Sequence, residues 1–308
     1  MSTLKIEDVA HVRFRAPDLT AMRGFLEDFG LLVVEETDHR IVARGSGPSP
    51  VAHVTELGEP GFAAIAFRAE SVADLERLAA AEGVPVEDCD LPGGGKIVTL
   101  KDPDGHTIEV VAGQAAAEPV ALSDSTPWNR AGARERLRAT KRIPAGAANV
   151  VRLGHVVLNV SDFRASERWY KDRFGFITSD EIEAAPAFAI GAFLRCDRGV
   201  APTDHHTLFL LQAPSGPGFN HAAYEVADLD DLMRGHQRLK ETGRQAEWGV
   251  GRHILGSQVF DYWRDPWGHT LEHWTDGDLF TAEDGSNVAS LQDLLGVQWG
   301  PSMPPTMG

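Results

Sequence analysis

The chain repeats itself, and a duplicated unit restricts the folds open to it more than any single residue does. Asp102-Pro103-Asp104-Gly105-His106-Thr107-Ile108-Glu109 and Asp265-Pro266-Trp267-Gly268-His269-Thr270-Leu271-Glu272 agree at six of eight positions. Further upstream, His11-Val12-Arg13-Phe14 aligns with His155-Val156-Val157-Leu158, and each histidine is followed seven residues later by an aspartate, Asp18 or Asp162. An amphipathic stretch then ends in Phe29-Gly30 or Phe174-Gly175. Residues 62–67 line up with 219–224, and Asp74-Leu75 and Asp231-Leu232 follow at the same offset. Matches that recur in the same order indicate two homologous halves.

Each half is itself internally double. A β-like run at 155–160 leads through Ser161-Asp162, a helix cap, into the helical stretch 164–173, which Gly175 ends. β-like runs follow near 187–195 and 206–212. The order then restarts with a strand at 220–226, a helix at 229–242 and strands near 258–264 and 270–274. The unit is therefore a strand, a helix and two or three strands. Asp-Pro-x-Gly is a turn signal, and Gly93-Gly94-Gly95-Lys96 reads as a hairpin turn, since a phosphate loop would need Ser or Thr where Ile97 stands. These patterns predict a first domain over 1–113, a linker over 114–150, a second domain over 151–280 and a terminal arm over 281–308. The linker is alanine-rich with a basic run near 130–142, and a short helix is expected in it. The arm, acidic and then Pro-rich at 301–305, is expected on the surface.

Composition narrows the function. With 45 Asp+Glu against 29 Lys+Arg, the net charge is −16, so neither nucleic acid nor an anionic membrane surface is an expected partner. The two cysteines, Cys89 and Cys196, form no spaced motif, which excludes a disulfide framework and a Cys-rich zinc site. No signal pattern opens the chain and no run of about 18 apolar residues occurs. The expected location is cytoplasmic.

Histidine carries the chemistry. His155, His221 and Glu272 each fall on a predicted strand of the second half, and one ligand per strand can converge on a point inside a curved sheet. Two histidines and a carboxylate form the facial set that holds non-haem Fe(II) with open positions; the same set also accepts Mn(II), or zinc in a hydrolytic site. In the first half His11 and Glu109 keep the outer places, but Ala64 takes the middle one. The first half therefore reads as a vestigial copy without metal.

With these residues in hand, the chain resembles the type I extradiol ring-cleaving dioxygenases of the vicinal oxygen chelate superfamily, over nearly its whole length. That family has a histidine before Thr-hydrophobic on the third strand of the module, matched by His206 in His205-His206-Thr207-Leu208. It has a second histidine nine residues before a tyrosine, and that tyrosine ten residues before the ligand glutamate. His253, Tyr262 and Glu272 keep both spacings. The resemblance implies an α+β fold of four βαβββ modules paired into two domains, each a curved mixed sheet forming an incomplete barrel around a cavity. It implies cleavage of a catechol-type ring by O₂ next to the two hydroxyls, giving a muconic semialdehyde-type product. Fe(II) is the implied metal, with Mn(II) second, and a homo-oligomer is implied as well. His206 is then the acid/base, Tyr262 a hydrogen-bond donor to a substrate oxygen, and His253 a residue that orients the substrate or caps the site. His206 is expected to share a strand face with Leu208 and Leu210, and His253 to lie in a loop. Cleavage of a hydroquinone-type ring and a glyoxalase-like isomerase are the competing readings.

Overall fold

The computed structural model describes residues 2–122 and 127–305; Met1, residues 123–126 of the linker and 306–308 of the arm lie outside the described residues. The first half runs β1 (Ile6–Ala16), α1 (Leu19–Phe29), β2 (Leu32–Glu36), β3 (Arg40–Arg44), β4 (His53–Leu57), β5 (Gly61–Ala69), α2 (Val72–Glu82), β6 (Glu87–Asp88), β7 (Lys96–Lys101) and β8 (Thr107–Ala112). The second half begins β9 (Val150–Asn159), α3 (Phe163–Phe174), β10 (Ile177–Ala185), β11 (Phe188–Arg195), β12 (Thr203–Asp204) and β13 (Leu208–Leu211). It continues β14 (Gly218–Val226), α4 (Leu229–Glu241), β15 (Gln245–His253), β16 (Val259–Arg264), β17 (Thr270–Thr275) and β18 (Leu279–Phe280). Last come β19 (Asn287–Ser290), α5 (Leu291–Leu295) and β20 (Val297–Trp299).

The repeated residues build repeated joints. Asp18 and Asp162 cap α1 and α3 by accepting from the backbone N–H of Ala21 and Ala165, and Gly30 and Gly175 end the two helices in the left-handed conformation. In each Asp-Pro-x-Gly turn the aspartate does the work. Asp102 accepts from the N–H of Asp104 and His106 and pairs with the His106 ring. Asp265 does the same with Trp267 and His269. The turn launches β8 or β17 in a set register, and so places Glu109 or Glu272.

The first sheet has the order β2-β3-β4-β1-β5-β8-β7-β6. The second has β19-β10-β11-β13-β9-β14-β17-β16-β15-β20. Removing the two outermost strands of the second leaves the same topology in both: an α+β architecture of two modules per half, whose central pairs, β1·β5 and β9·β14, are antiparallel. The halves pack through aromatic rings, with Phe14 against Phe219 at 5.1 Å and Phe62 against Phe219 at 4.7 Å. A buried hydrogen bond of 3.0 Å joins His53 to Tyr224.

Three expectations change. β10 and β15 are strands that the residue pattern did not single out, because each is interrupted by charged or glycine residues. No helix occurs among the described residues of the linker; only an isolated bridge joins Arg130 to Ala133. The tail, expected as a surface arm, does lie largely exposed, but instead of standing apart it joins the sheet at both of its edges. β19 pairs with β10, and β20 pairs with β15. Only six residues, α5 and Gly296, separate β19 from β20, so the second sheet curls until its two edges nearly meet.

Candidate metal centre

Strand register assembles the site. Across the second sheet His155 pairs with Ala223, Ala223 with Glu272, Glu272 with Tyr262, and Tyr262 with Trp248. Paired residues share a face, so these side chains form one row. His221 stands two residues before Ala223, on the same face, and the small Ala223 side chain leaves room beneath it. The Nε2 atoms of His155 and His221 lie 3.3 and 3.4 Å from Glu272 Oε2. Among the described residues these three are the only such group whose ligand atoms all fall within 4.8 Å of one another.

The electrostatics fit a cation. Glu272 is fully buried, and neither carboxylate oxygen has a hydrogen-bond partner. Burial pushes its carboxyl up to about 8. Burial also drives His155 down to about 3 and His221 well below the usual histidine range, so both imidazoles are neutral and present lone pairs. A buried carboxylate without partners is costly, and a divalent ion held by these three atoms removes that cost. His221 is oriented from behind: Asn220 Oδ1 accepts from its Nδ1–H at 2.8 Å, which leaves Nε2 free to ligate. A bulge in β14 at Asn220 lets two adjacent residues serve one site. Sequence periodicity hides this partner, because neighbours on a regular strand face opposite ways.

His206 lies beside this group, its ring 4.0 Å from that of His155. It does not share a face with Leu208 and Leu210 as expected. Those two join the main core, whereas Phe209 and Leu211 line the cavity with His206. The backbone at 205–207 is irregular, and this breaks the alternation before β13 begins. His205 is buried too. Its Nε2 lies 2.7 Å from Asp180 Oδ2 and its Nδ1 3.1 Å from His206 Nδ1. With Asp180 accepting the Nε2–H of His205, the His205 Nδ1 accepts from His206 Nδ1–H. His206 Nε2 then remains for the cavity. Burial holds His206 well below its usual range, and hence neutral.

His253 is not in a loop; it ends β15 and packs on Phe260 at 4.1 Å. Its Nε2 is 3.0 Å from the Tyr262 hydroxyl and 3.9 Å from Glu272 Oε1. Burial pushes the Tyr262 hydroxyl well above its usual range, so it stays protonated and can donate. His206, His253 and Tyr262 thus stand around the three candidate ligands at one cavity of about 530 Å³. Phe188, Phe193 and Trp248 line that cavity; Trp299 does not. Gln258 and the tail residues Leu291, Leu294, Leu295 and Met303 also line it, and no sequence signal marked them.

The equivalent place in the first half is occupied differently. His11 Nε2 lies 2.9 Å from Glu109 Oε2, and Ala64 stands where His221 does. Arg13, two residues after His11 and equivalent to Val157, places Nε and Nη2 each 3.2 Å from the Glu109 oxygens. Strand pairing puts Val51 at the place of His206 and Thr99 at that of Tyr262.

Comparison with known proteins adds a family context. The family model described as "Glyoxalase/Bleomycin resistance protein/Dioxygenase superfamily" matches residues 8–110 and 152–273. A metapyrocatechase 2 from Cupriavidus necator is 28% identical over 306 residues, covering 97% of this chain and 90% of that protein. An iron-dependent extradiol dioxygenase from Rhodococcus jostii is 26% identical, covering 96% of this chain and 97% of that one. Among solved structures, a Mn(II)-bound glyoxalase from Novosphingobium aromaticivorans superimposes with a TM-score of 0.79 at 25% identity, over 99% of this chain and 94% of that one.

Proposed function

This chain belongs to the glyoxalase/bleomycin resistance protein/dioxygenase superfamily, and we propose that within it the chain is an extradiol ring-cleaving dioxygenase acting on a catechol-type diol. In the reaction the ring C–C bond beside the two hydroxylated carbons breaks. Both atoms of O₂ enter the product, a hydroxymuconic semialdehyde. One observation carries the reading: His155, His221 and Glu272 bring their side-chain donor atoms within 4.8 Å of one another, and His155 and His221 share an apolar cavity with the buried His206. The names of two curated relatives with full-length coverage support it.

We propose His155, His221 and Glu272 as ligands to Fe(II), with Mn(II) as the ion the same donors also accept. When bound, the metal supplies Lewis acidity and the one-electron chemistry that lets O₂ react with an aromatic ring. The protein's residues do the rest. Tyr262 donates its hydroxyl proton toward a substrate oxygen, and His253, 3.0 Å away, fixes where that hydroxyl points. His206 Nε2 takes a proton from the diol and returns it as the ring opens, while His205 and Asp180 hold its other nitrogen. The apolar walls position the ring and exclude water. In this reading residues 151–280 carry the reaction and residues 1–113 stand without metal.

The test is oxygen consumption by Fe(II)-loaded protein over a panel of catechols, with visible absorbance followed in parallel. Stoichiometric uptake with a new yellow chromophore is expected. One bound metal with no uptake from catechols or hydroquinones would leave the glyoxalase-like isomerase, which the solved glyoxalase structure favours and which needs no O₂.

A further inference from the structure

The tail forms part of the wall of the cavity beside the three candidate ligands. Leu294 packs with Phe193, Phe209 and Leu255 on one flank, and Met303 packs with Trp248 and Phe260 on the other. The tail is fastened across both. Asn287–Ser290 pairs with β10, the Trp248 indole N–H donates to Pro301 O at 2.9 Å, and Gln298 donates to His253 O at 2.9 Å. Gly296 permits the crossing, because a Cβ there would stand 2.9 Å from the backbone oxygen of Gln292. Among the described residues no Asp, Glu, Lys or Arg side chain lines the cavity. Its hydrogen-bonding groups are the four histidines, Tyr262 and the amides of Asn220, Gln212 and Gln258. Of these amides, Gln212 is engaged with the Phe163 N–H and Asn220 with His221.

Resting on the extradiol reading, we infer that the ring substituent of the substrate is uncharged and apolar, an alkyl or aryl group, and that Leu294 and Met303 of the tail select it by forming the wall it packs against. A carboxylate on the ring would be stripped of water in this cavity with no guanidinium or ammonium to meet it. Each methylene of an apolar substituent buried there strengthens binding by about fourfold. The volume leaves space beyond a bare diol ring, and that space is bounded by leucine, methionine, phenylalanine and tryptophan.

The experiment is anaerobic titration of Fe(II)-loaded protein with isopropylcatechol and with the dihydroxybenzoate of the same substitution pattern, followed optically. The two probes share a shape and differ in charge. The isopropyl compound is expected to bind more than tenfold more tightly, and Leu294→Arg to reduce that ratio by more than tenfold. Met303→Arg serves if the first variant does not fold. A parent ratio below tenfold, or a folded arginine variant that leaves the ratio in place, overturns the inference. Selective binding of the apolar diol with no O₂ uptake on admitting air would overturn the extradiol reading alone. Uptake with the carboxylated diol preferred would overturn this inference alone, and failure of both diols to bind would overturn both.

Discussion

Glu109 and Glu272 occupy equivalent places in two copies of one fold, and burial acts on both in the same direction. The outcomes are opposite. Burial lifts Glu109, but His11 and the Arg13 guanidinium more than offset this and hold its carboxyl at about 2. Glu272 has no guanidinium beside it; burial outweighs the opposing influence of His253 and Tyr262, and its carboxyl rises to about 8. The first half carries a permanent cation on the chain, in the arginine that stands where the second half has Val157. The second half keeps an apolar residue there and a second histidine, His221, in place of Ala64, which leaves its carboxylate open to the proposed metal. The difference between a structural ion pair and a candidate metal site is here two side chains on adjacent strands.

The largest test of this contrast is His221→Ala. Metal analysis should fall from one ion per chain to none, and turnover by at least about a thousandfold, whereas His11→Ala should leave both in place. Large loss of activity from the second change would end the view of the first half as a site without metal. His206→Phe should separate holding the metal from moving protons: one ion per chain remains while kcat drops about 10²–10⁴-fold. Full turnover in that variant would remove His206 from the chemistry.

In the first half, Arg13→Met leaves Glu109 buried beside His11 alone. Denaturant unfolding should show a loss of about 3–5 kcal/mol, with kcat per bound metal kept. Equal stability would mean that the arginine does not stand in for an ion.

The opposed carboxyl shifts predict opposed pH dependences. Glu272 is raised, so its folded state binds the proton that the unfolded chain releases near its model value of 4.5. Stability from this group is complete below that value and is lost as pH rises toward about 8. His155 and His221, shifted down, act only below the usual histidine range. Between pH 6.5 and 8 metal-free protein should therefore lose about 2 kcal/mol of stability through Glu272. Glu272→Gln or bound metal should flatten that slope, and a slope unchanged by either would contradict the assignment. Glu109, held at about 2, contributes stability that is lost only as pH falls from 4.5 toward 2. The smallest effect comes from crossing the halves: Arg13→Val with Ala64→His should give a second, weaker metal equivalent by equilibrium dialysis.

Much of this was legible in the residues. The duplicated Asp-Pro-x-Gly turn revealed the repeat because a buried aspartate organises it in both copies. His155, His221 and Glu272 were legible as candidates because each falls within a β-like run. The failures fall where alternation breaks. His206 precedes its strand and Asn220 occupies a bulge, while Arg13 carried no sequence signal and its bonds to Glu109 emerge only from the fold. The tail escaped altogether. Its strands are three and four residues long, too short for a period, and they pair with partners that are distant in sequence.

That tail has a consequence for the life of the chain before it is an enzyme. β10 and β15 are long edge strands, and an uncovered edge offers a row of free N–H and C=O groups to any passing strand. One short segment near the end of the sequence covers both at once. Until residues 287–299 have emerged and docked, the second sheet has two adhesive edges flanking an apolar trough. The same stretch that shapes the cavity thus also guards the nascent chain against its own copies.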